Sequence, residues 1–178
     1  MEYIAHYDSP LGRILLASDD LGLSGLWFEE KSRYFALGLD SNHIEKDVPI
    51  LDTTKSWLDI YFSGREPEFT VPLHIKGSDF YNEVSRIMCT IPYGKTMTYG
   101  EIAAIIAEEH GIPRMSARAV GGAVGHNKIS IIVPCHRVVG KGGNLTGYGG
   151  GIKRKVSLLE LERADLSSFY IPKKGTAL

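Results

Sequence analysis

TYGEIAAIIAEEHGIPRMSARAVGGAVG, residues 98–125, decides the architecture of this chain. Thr98 and Glu101 stand in capping-box register ahead of an apolar run, so a helix is predicted from Thr98 to a stop at Gly111. A brief loop with Gly111 and Pro113 follows, and Ser116 opens a second helix, SARAVGGAVG. Two short helices joined by such a turn have the outline of a helix-turn-helix. The second helix is almost wholly Ala, Gly and Val. Gly121 and Gly122 cost it stability but leave a smooth surface with Arg118 as the one long cation. Two readings fit: close approach to another body, with Arg118 entering a groove or base stack, or close packing of two helices in a core.

Upstream, YIAHY, RILLAS and LSGLWF are short apolar runs separated by SPLG and SDDLG, the signature of an antiparallel meander. DVPILDTTKSWLDIYFSG places Ile50, Leu51, Trp57, Leu58, Tyr61 and Phe62 on one helical face that ends near Gly64. REPEFTVPLHIKG reads as a linker, giving an α+β domain over 1–74 and a mainly helical domain over 75–178. The second domain opens with SDFYNEVSRIMCTI, a helix capped by Ser78 or Asp79, with Phe80, Val84, Ile87 and Met88 inward and Cys89 packed in it.

With 178 residues and 43% hydrophobic content the chain can bury a sizeable core. No run of about 18 apolar residues occurs, so a cytoplasmic protein is expected, without a membrane partner. Cys89 and Cys135 are too few for a disulfide framework and form no Cys-x-x-Cys pair. The net charge of −1 hides a segregation. Residues 110–159 hold no Asp or Glu but eight cations: Arg114, Arg118, Lys128, Arg137, Lys141, Lys153, Arg154 and Lys155. Such a block suits a polyanion, or is a solvated basic face.

IIVPCHRVVG, residues 131–140, carries the chemistry. The run before Pro134 reads as a buried strand. Cys135 after it is either an inert buried thiol or, with His136 as base, a nucleophile. Neighbours on a strand point to opposite faces, so His136 serves Cys135 only if the chain turns there, and Pro134 favours a turn. A base of this kind needs a carboxylate. In the helix IKRKVSLLELERA, with Ile152, Val156, Leu158 and Leu159 inward, Glu162 either shares the inward face or is a surface partner. The loop GKGGNLTGYGGG has neither phosphate-loop nor dinucleotide-site order; its amides beside Tyr148 suit the polar edge of a planar base.

PCHRV, TYGEIA, ARAVGGA, GHN and TGYGGG, in that set, resemble the O6-alkylguanine-DNA alkyltransferases, also called methylated-DNA–protein-cysteine methyltransferases, from about Ser78 to Arg163. YDSPLGRILLA and LSGLWF are similar to that family's N-terminal domain. The resemblance implies a ribonuclease-H-like α+β domain followed by a winged-helix-like domain. It implies a monomer that flips O6-alkylguanine, or O4-alkylthymine, from double-stranded DNA and transfers the alkyl group irreversibly to Cys135, once. By matching position, His136 deprotonates Cys135 through a water, Glu162 holds His136, and Asn127 buttresses the turn. Arg118 fills the vacated base position. Ser116, Ala117, Ala119, Gly121 and Gly122 belong to the DNA-facing helix, and Tyr99 crowds the phosphate and reaches the guanine. Val138, Tyr148 and Gly149 line the pocket with the Cys135 carbonyl. Neither cofactor nor metal is implied, since no cysteine precedes Cys89. The chain departs from the family at Lys128 and Ser130, where proline is common. Two rival readings are a non-reacting sensor of alkylated bases and a thiol hydrolase unrelated to DNA. The first lacks a reason to keep Cys135, and the second leaves the Arg118 helix unexplained.

Overall fold

The computed structural model describes residues 1–173, which form two compact units. The first holds Met1–Lys76 and, unexpectedly, Lys128–Ser130; the second holds the rest.

In the first unit, β1 (Tyr3–Ser9), β2 (Gly12–Ser18) and β3 (Leu23–Phe28) form the expected antiparallel meander. The Ser9–Gly12 turn is closed by Ser9 Oγ, which accepts from the Leu11 amide and donates to the Gly12 carbonyl. Period-two alternation sorts the side chains onto two faces, and both are covered. Ile4, Leu15, Ala17 and Trp27 form one buried cluster with Ala36 and Leu39 against it. On the other face Tyr7 reaches α1 (Pro49–Phe62), donating to Asp59 at 2.8 Å and stacking on Phe62. Double coverage explains why every residue of β3 is buried. The helix turns Leu51, Thr54, Leu58 and Tyr61 fully inward, with Ile50, Trp57 and Phe62 half-buried at the margins of that face.

A two-residue strand, β4 (Ile44–Glu45), adds to β1 in parallel, giving the order β3-β2-β1-β4. The outer edge of β3 is closed from two distant stretches. The Leu23 amide donates to Pro72 and Leu23 accepts from His74, while Leu26 exchanges bonds with Lys128 and Ser130 at 2.8 and 3.0 Å. A bare sheet edge is thereby avoided. Beside it, Lys76 Nζ lies 2.7 Å from both Glu2 and Asp19, and His74 lies 2.7 Å from Asp19.

The second unit contains α2 (Asp79–Met88), α3 (Tyr99–Glu109), α4 (Ala117–Gly125) and α5 (Ile152–Leu161), with β5 (Met97–Thr98) and β6 (Val138–Val139) as a minimal parallel pair. The Thr98–Glu101 capping box forms in full, and Ser78 and Ser116 cap α2 and α4. Packing of α3 on α4, with a short loop between, completes the helix-turn-helix. Cys89 is not packed in α2. It is that helix's C-cap and is exposed, because the inward side is filled by Tyr81, Val84, Ile87 and Met88.

The run before Pro134 is no strand. Ile131 takes φ 69°, and the Cys135 amide bonds back to Val133 at 2.8 Å, so the chain turns where β-branched residues suggested extension. Burial of Ile131 and Val133 at 1% and 0% exposure outweighs their strand preference. The short strand comes after the cysteine, as β6.

Candidate functional site

Four residues foreseen as a constellation converge in the second unit. Pro134 leads into a 3₁₀ turn, Cys135–Arg137, so Cys135 and His136 are not splayed as on a strand. Asn127, just past the end of α4, donates from Nδ2 to the Val133 carbonyl at 2.8 Å and to Cys135 Sγ at 3.0 Å. One amide thus clamps the turn and the sulfur together. Burial pushes the thiol up from its ordinary range, and the Asn127 hydrogen bond pulls the other way because it favours the thiolate.

His136 is fully enclosed, and its Nε2 lies 2.6 Å from Glu162 Oε1. A carboxylate only accepts, so Nε2 carries the hydrogen and Nδ1 is the basic nitrogen of the neutral ring. Burial holds the imidazole below its ordinary value, against the opposing pull of Glu162, so it is neutral and able to take a proton. Glu162 follows α5 as its C-cap and accepts three more hydrogen bonds: Arg137 reaches both of its oxygens, at 2.9 and 3.0 Å, and the Gly94 amide donates at 3.0 Å. Burial works against its charge, but His136 and Arg137 hold it down at about 2. Arg137 is thus committed to a salt bridge with Glu162, and its third contact is the Ile91 carbonyl at 2.6 Å. Gly94 was not foreseen. Its signal was the Pro92-Tyr93-Gly94 turn: φ is 72°, and an added Cβ would meet the Glu162 carbonyl at 2.7 Å.

Tyr99, the first residue of α3, donates to the Thr146 carbonyl at 3.1 Å, and burial pushes its phenol up to about 12, so it is a proton donor throughout the neutral range. Tyr148 is buried and Gly149 half-buried in the following loop. Val138 is buried in β6, but its carbonyl is occupied by Lys155 Nζ at 2.5 Å.

On α4 only Val120 and Val124 turn inward. Ser116, Ala117, Arg118, Ala119 and Gly122 are exposed, and Gly121 is half-buried, with room for a Cβ at ordinary contact distance from the Tyr99 ring. The small residues are therefore a surface and not a helix-packing seam. The basic block needs a correction. Lys155 is fully enclosed and Arg137 is spent on Glu162, so the surface charge comes from Arg114, Arg118, Lys141 and Lys153, with Lys128 and Arg154 half-buried.

Comparison with known proteins follows the same division. Residues 3–75 match the family described as "6-O-methylguanine DNA methyltransferase, ribonuclease-like domain" and 79–164 its "DNA binding domain". The methylated-DNA–protein-cysteine methyltransferase of Mycobacterium tuberculosis is 45% identical over 171 residues, covering 92% of this chain and 98% of that protein. The Haemophilus influenzae protein of the same name is 38% identical over 162 residues, covering 90% and 86%. The crystal structure of M. tuberculosis OGT in complex with DNA matches with a TM-score of 0.76 at 45% identity, over 91% of this chain and 94% of that one.

Proposed function

This chain belongs to the methylated-DNA–protein-cysteine methyltransferase family, and from that premise we propose how its residues divide the work. The protein binds DNA and repairs it by moving an alkyl group from a damaged guanine to a cysteine of its own. We assign Cys135 as that cysteine and O6-alkylguanine, with O4-alkylthymine as a second substrate, as the lesion. The observation that carries the assignment is the chain of contacts Arg137–Glu162–His136 beside the Asn127–Cys135 pair.

The lesion is flipped out of the duplex, at a cost of a few kcal/mol that Arg118 offsets by occupying the vacated position. His136 Nδ1 takes the Cys135 proton through one water, and Glu162 stabilises the resulting imidazolium. The thiolate attacks the alkyl carbon; the S–C bond forms, the C–O6 bond breaks, and its electron pair stays on the guanine. Tyr99 and the loop amides near Tyr148 and Gly149 supply donors to that developing charge, and Val138 lines the pocket. Ser116, Ala117, Ala119, Gly121 and Gly122 let the α4 backbone lie close to the groove. The thioether is stable, so each molecule acts once, as a monomer, in the cytoplasm; no helix among the described residues is long and apolar enough to cross a membrane.

The test is incubation with duplex DNA containing O6-methylguanine, then peptide mass spectrometry. One methyl on the Cys135 peptide, at most one per protein, is expected; tight binding with an unmodified thiol would make the protein a sensor instead. Cys135→Ala should end transfer and keep DNA binding. Affinity should also fall steeply between about 50 and 200 mM salt, and a flat response would remove the basic surface from the account.

A further inference from the structure

Lys155 stands in a run of three cations, yet its side chain is fully enclosed. Its ammonium donates to the Val138 carbonyl at 2.5 Å and to the Thr146 carbonyl at 2.9 Å. Among the described residues no carboxylate pairs with it. Enclosing a lysine among carbonyls alone is costly, because the dipoles replace only part of the lost hydration. A residue that merely filled this space would be Met or Leu.

The two carbonyls belong to different elements. Val138 opens β6, directly after the turn that holds Cys135. Thr146 lies in the glycine-rich loop, and its carbonyl also accepts from the Tyr99 hydroxyl. Lys155 and Tyr99 therefore share one acceptor. At the next residue, Gly147, φ is 71° and an added Cβ would stand 3.0 Å from the Tyr99 oxygen, so the loop is pressed onto the phenol.

The geometry points to Lys155 as a positioning residue for alkyl transfer: its ammonium bolts the Thr146 carbonyl to the strand behind the nucleophile and so fixes the Tyr99 hydroxyl and the loop wall of the pocket. This rests on the functional reading above, in which Tyr99 and that loop meet the flipped base.

Three titratable groups act on this cluster: Cys135 and His136 from the 3₁₀ turn, and Tyr99 from α3. A Cys135 thiolate attracts the ammonium, whereas an imidazolium at His136 opposes it. Burial holds Lys155 down at about 8, so the bolt is charged at neutral pH and weakens as pH rises through that value. Tyr99, at about 12, cannot titrate there. Deprotonation of Cys135 changes the rate in the opposite sense, by supplying more thiolate.

The test measures single-turnover transfer from duplex DNA carrying O6-methylguanine to the full chain. Lys155→Met should slow transfer about tenfold or more, while affinity for undamaged duplex stays within about twofold because the α4 surface is untouched. Tyr99→Phe should also slow transfer, and the double variant should be no slower than the slower single one, since Lys155 positions the hydroxyl that Tyr99→Phe removes. Wild-type transfer, divided by the Cys135 thiolate fraction titrated in parallel, should decline on the alkaline side with a midpoint near 8. That measurement needs no variant, and it decides the matter if Lys155→Met does not fold. Unchanged transfer by Lys155→Met, multiplying effects in the double variant, or a wild-type rate per thiolate that shows no decline by about pH 9 would each overturn the inference alone. Absence of transfer by the wild-type chain would overturn the functional reading and this inference with it.

Discussion

Lys76 and Lys155 are both drawn out of water, one in each unit, and their surroundings treat them in opposite ways. Lys76 sits between Glu2 and Asp19, each 2.7 Å away, with 34% of its side chain still exposed. Those carboxylates outweigh its desolvation and raise its pKa. Lys155 has carbonyls only, and burial lowers it to about 8. The first arrangement is a clasp, in which charge neutralises charge where the N-terminus, the β2–β3 turn and the end of the unit meet. The second leaves a positive charge uncancelled beside Cys135, the thiol we propose as the nucleophile. A fold keeps an arrangement of the second kind for what it does in the reaction, since it gains little stability from it.

The sharpest way to break this contrast lies in the anion of the Cys135–His136–Glu162 cluster. Glu162→Gln should slow alkyl transfer about 100-fold or more, through loss of the tautomer control and imidazolium stabilisation at His136. It should also lower unfolding free energy by about 3 kcal/mol, because Arg137 is left enclosed without its partner. Rapid-quench transfer assays and urea titration read the two effects separately. A variant that loses stability but transfers at the wild-type rate would reduce Glu162 to a clasp like Glu2.

Alkaline titration should split the two lysines next. Lys76 has a raised pKa, so its stabilisation is complete below its unfolded value near about 10.4 and is lost as pH climbs through the higher folded one. Lys155 has a lowered pKa, so between about 8 and its unfolded value the unfolded chain binds the extra proton, and stability from this group rises with pH. Comparing unfolding midpoints of Lys76→Met and Lys155→Met with wild type across that range checks both signs. Acid should not separate the clusters: Asp19 and Glu162 are both held at about 2, and each contribution is lost as pH falls from the ordinary carboxylate range toward that value.

Lys76→Met at neutral pH should destabilise by about 1–2 kcal/mol, reduced by its partial exposure, with transfer unchanged once the protein is folded. The smallest difference is in salt. Between about 0.1 and 1 M, the Lys76–Asp19 coupling in a double-mutant cycle should shrink by less than about 1 kcal/mol, while the Arg137–Glu162 coupling holds. Equal salt sensitivity would mean that burial does not distinguish them.

Much of this was legible in the sequence because local signals and final structure agree. The Thr98–Glu101 box, the Ser116 cap and the meander turns are short-range chemistry, and the fold leaves them in place. The cysteine, its histidine and the helix bearing Glu162 could be named from their types and from family motifs. What stayed hidden depends on distant partners. The turn at Ile131–Val133 contradicts its own β-branched composition and exists because those side chains plug a core. Lys155 looks like one more surface cation until α5 is docked, when its position in the helix, one residue before Val156, proves to face inward. Gly94 gave a turn signal, but nothing in its neighbourhood announces a carboxylate at Glu162, far along the chain.

Residues Lys128–Ser130 carry a consequence for the order in which the molecule is made. They pair with Leu26 in the first unit, so the outer edge of β3 waits for roughly 100 further residues before this neighbour exists. On a ribosome emitting the chain from its N-terminus, the β-sheet emerges early and stays incomplete through the synthesis of α2, α3 and α4. Its final pairing is made only as the segment leading to Cys135 appears, so completion of the N-terminal sheet and arrival of Cys135 are nearly simultaneous events in the life of each molecule.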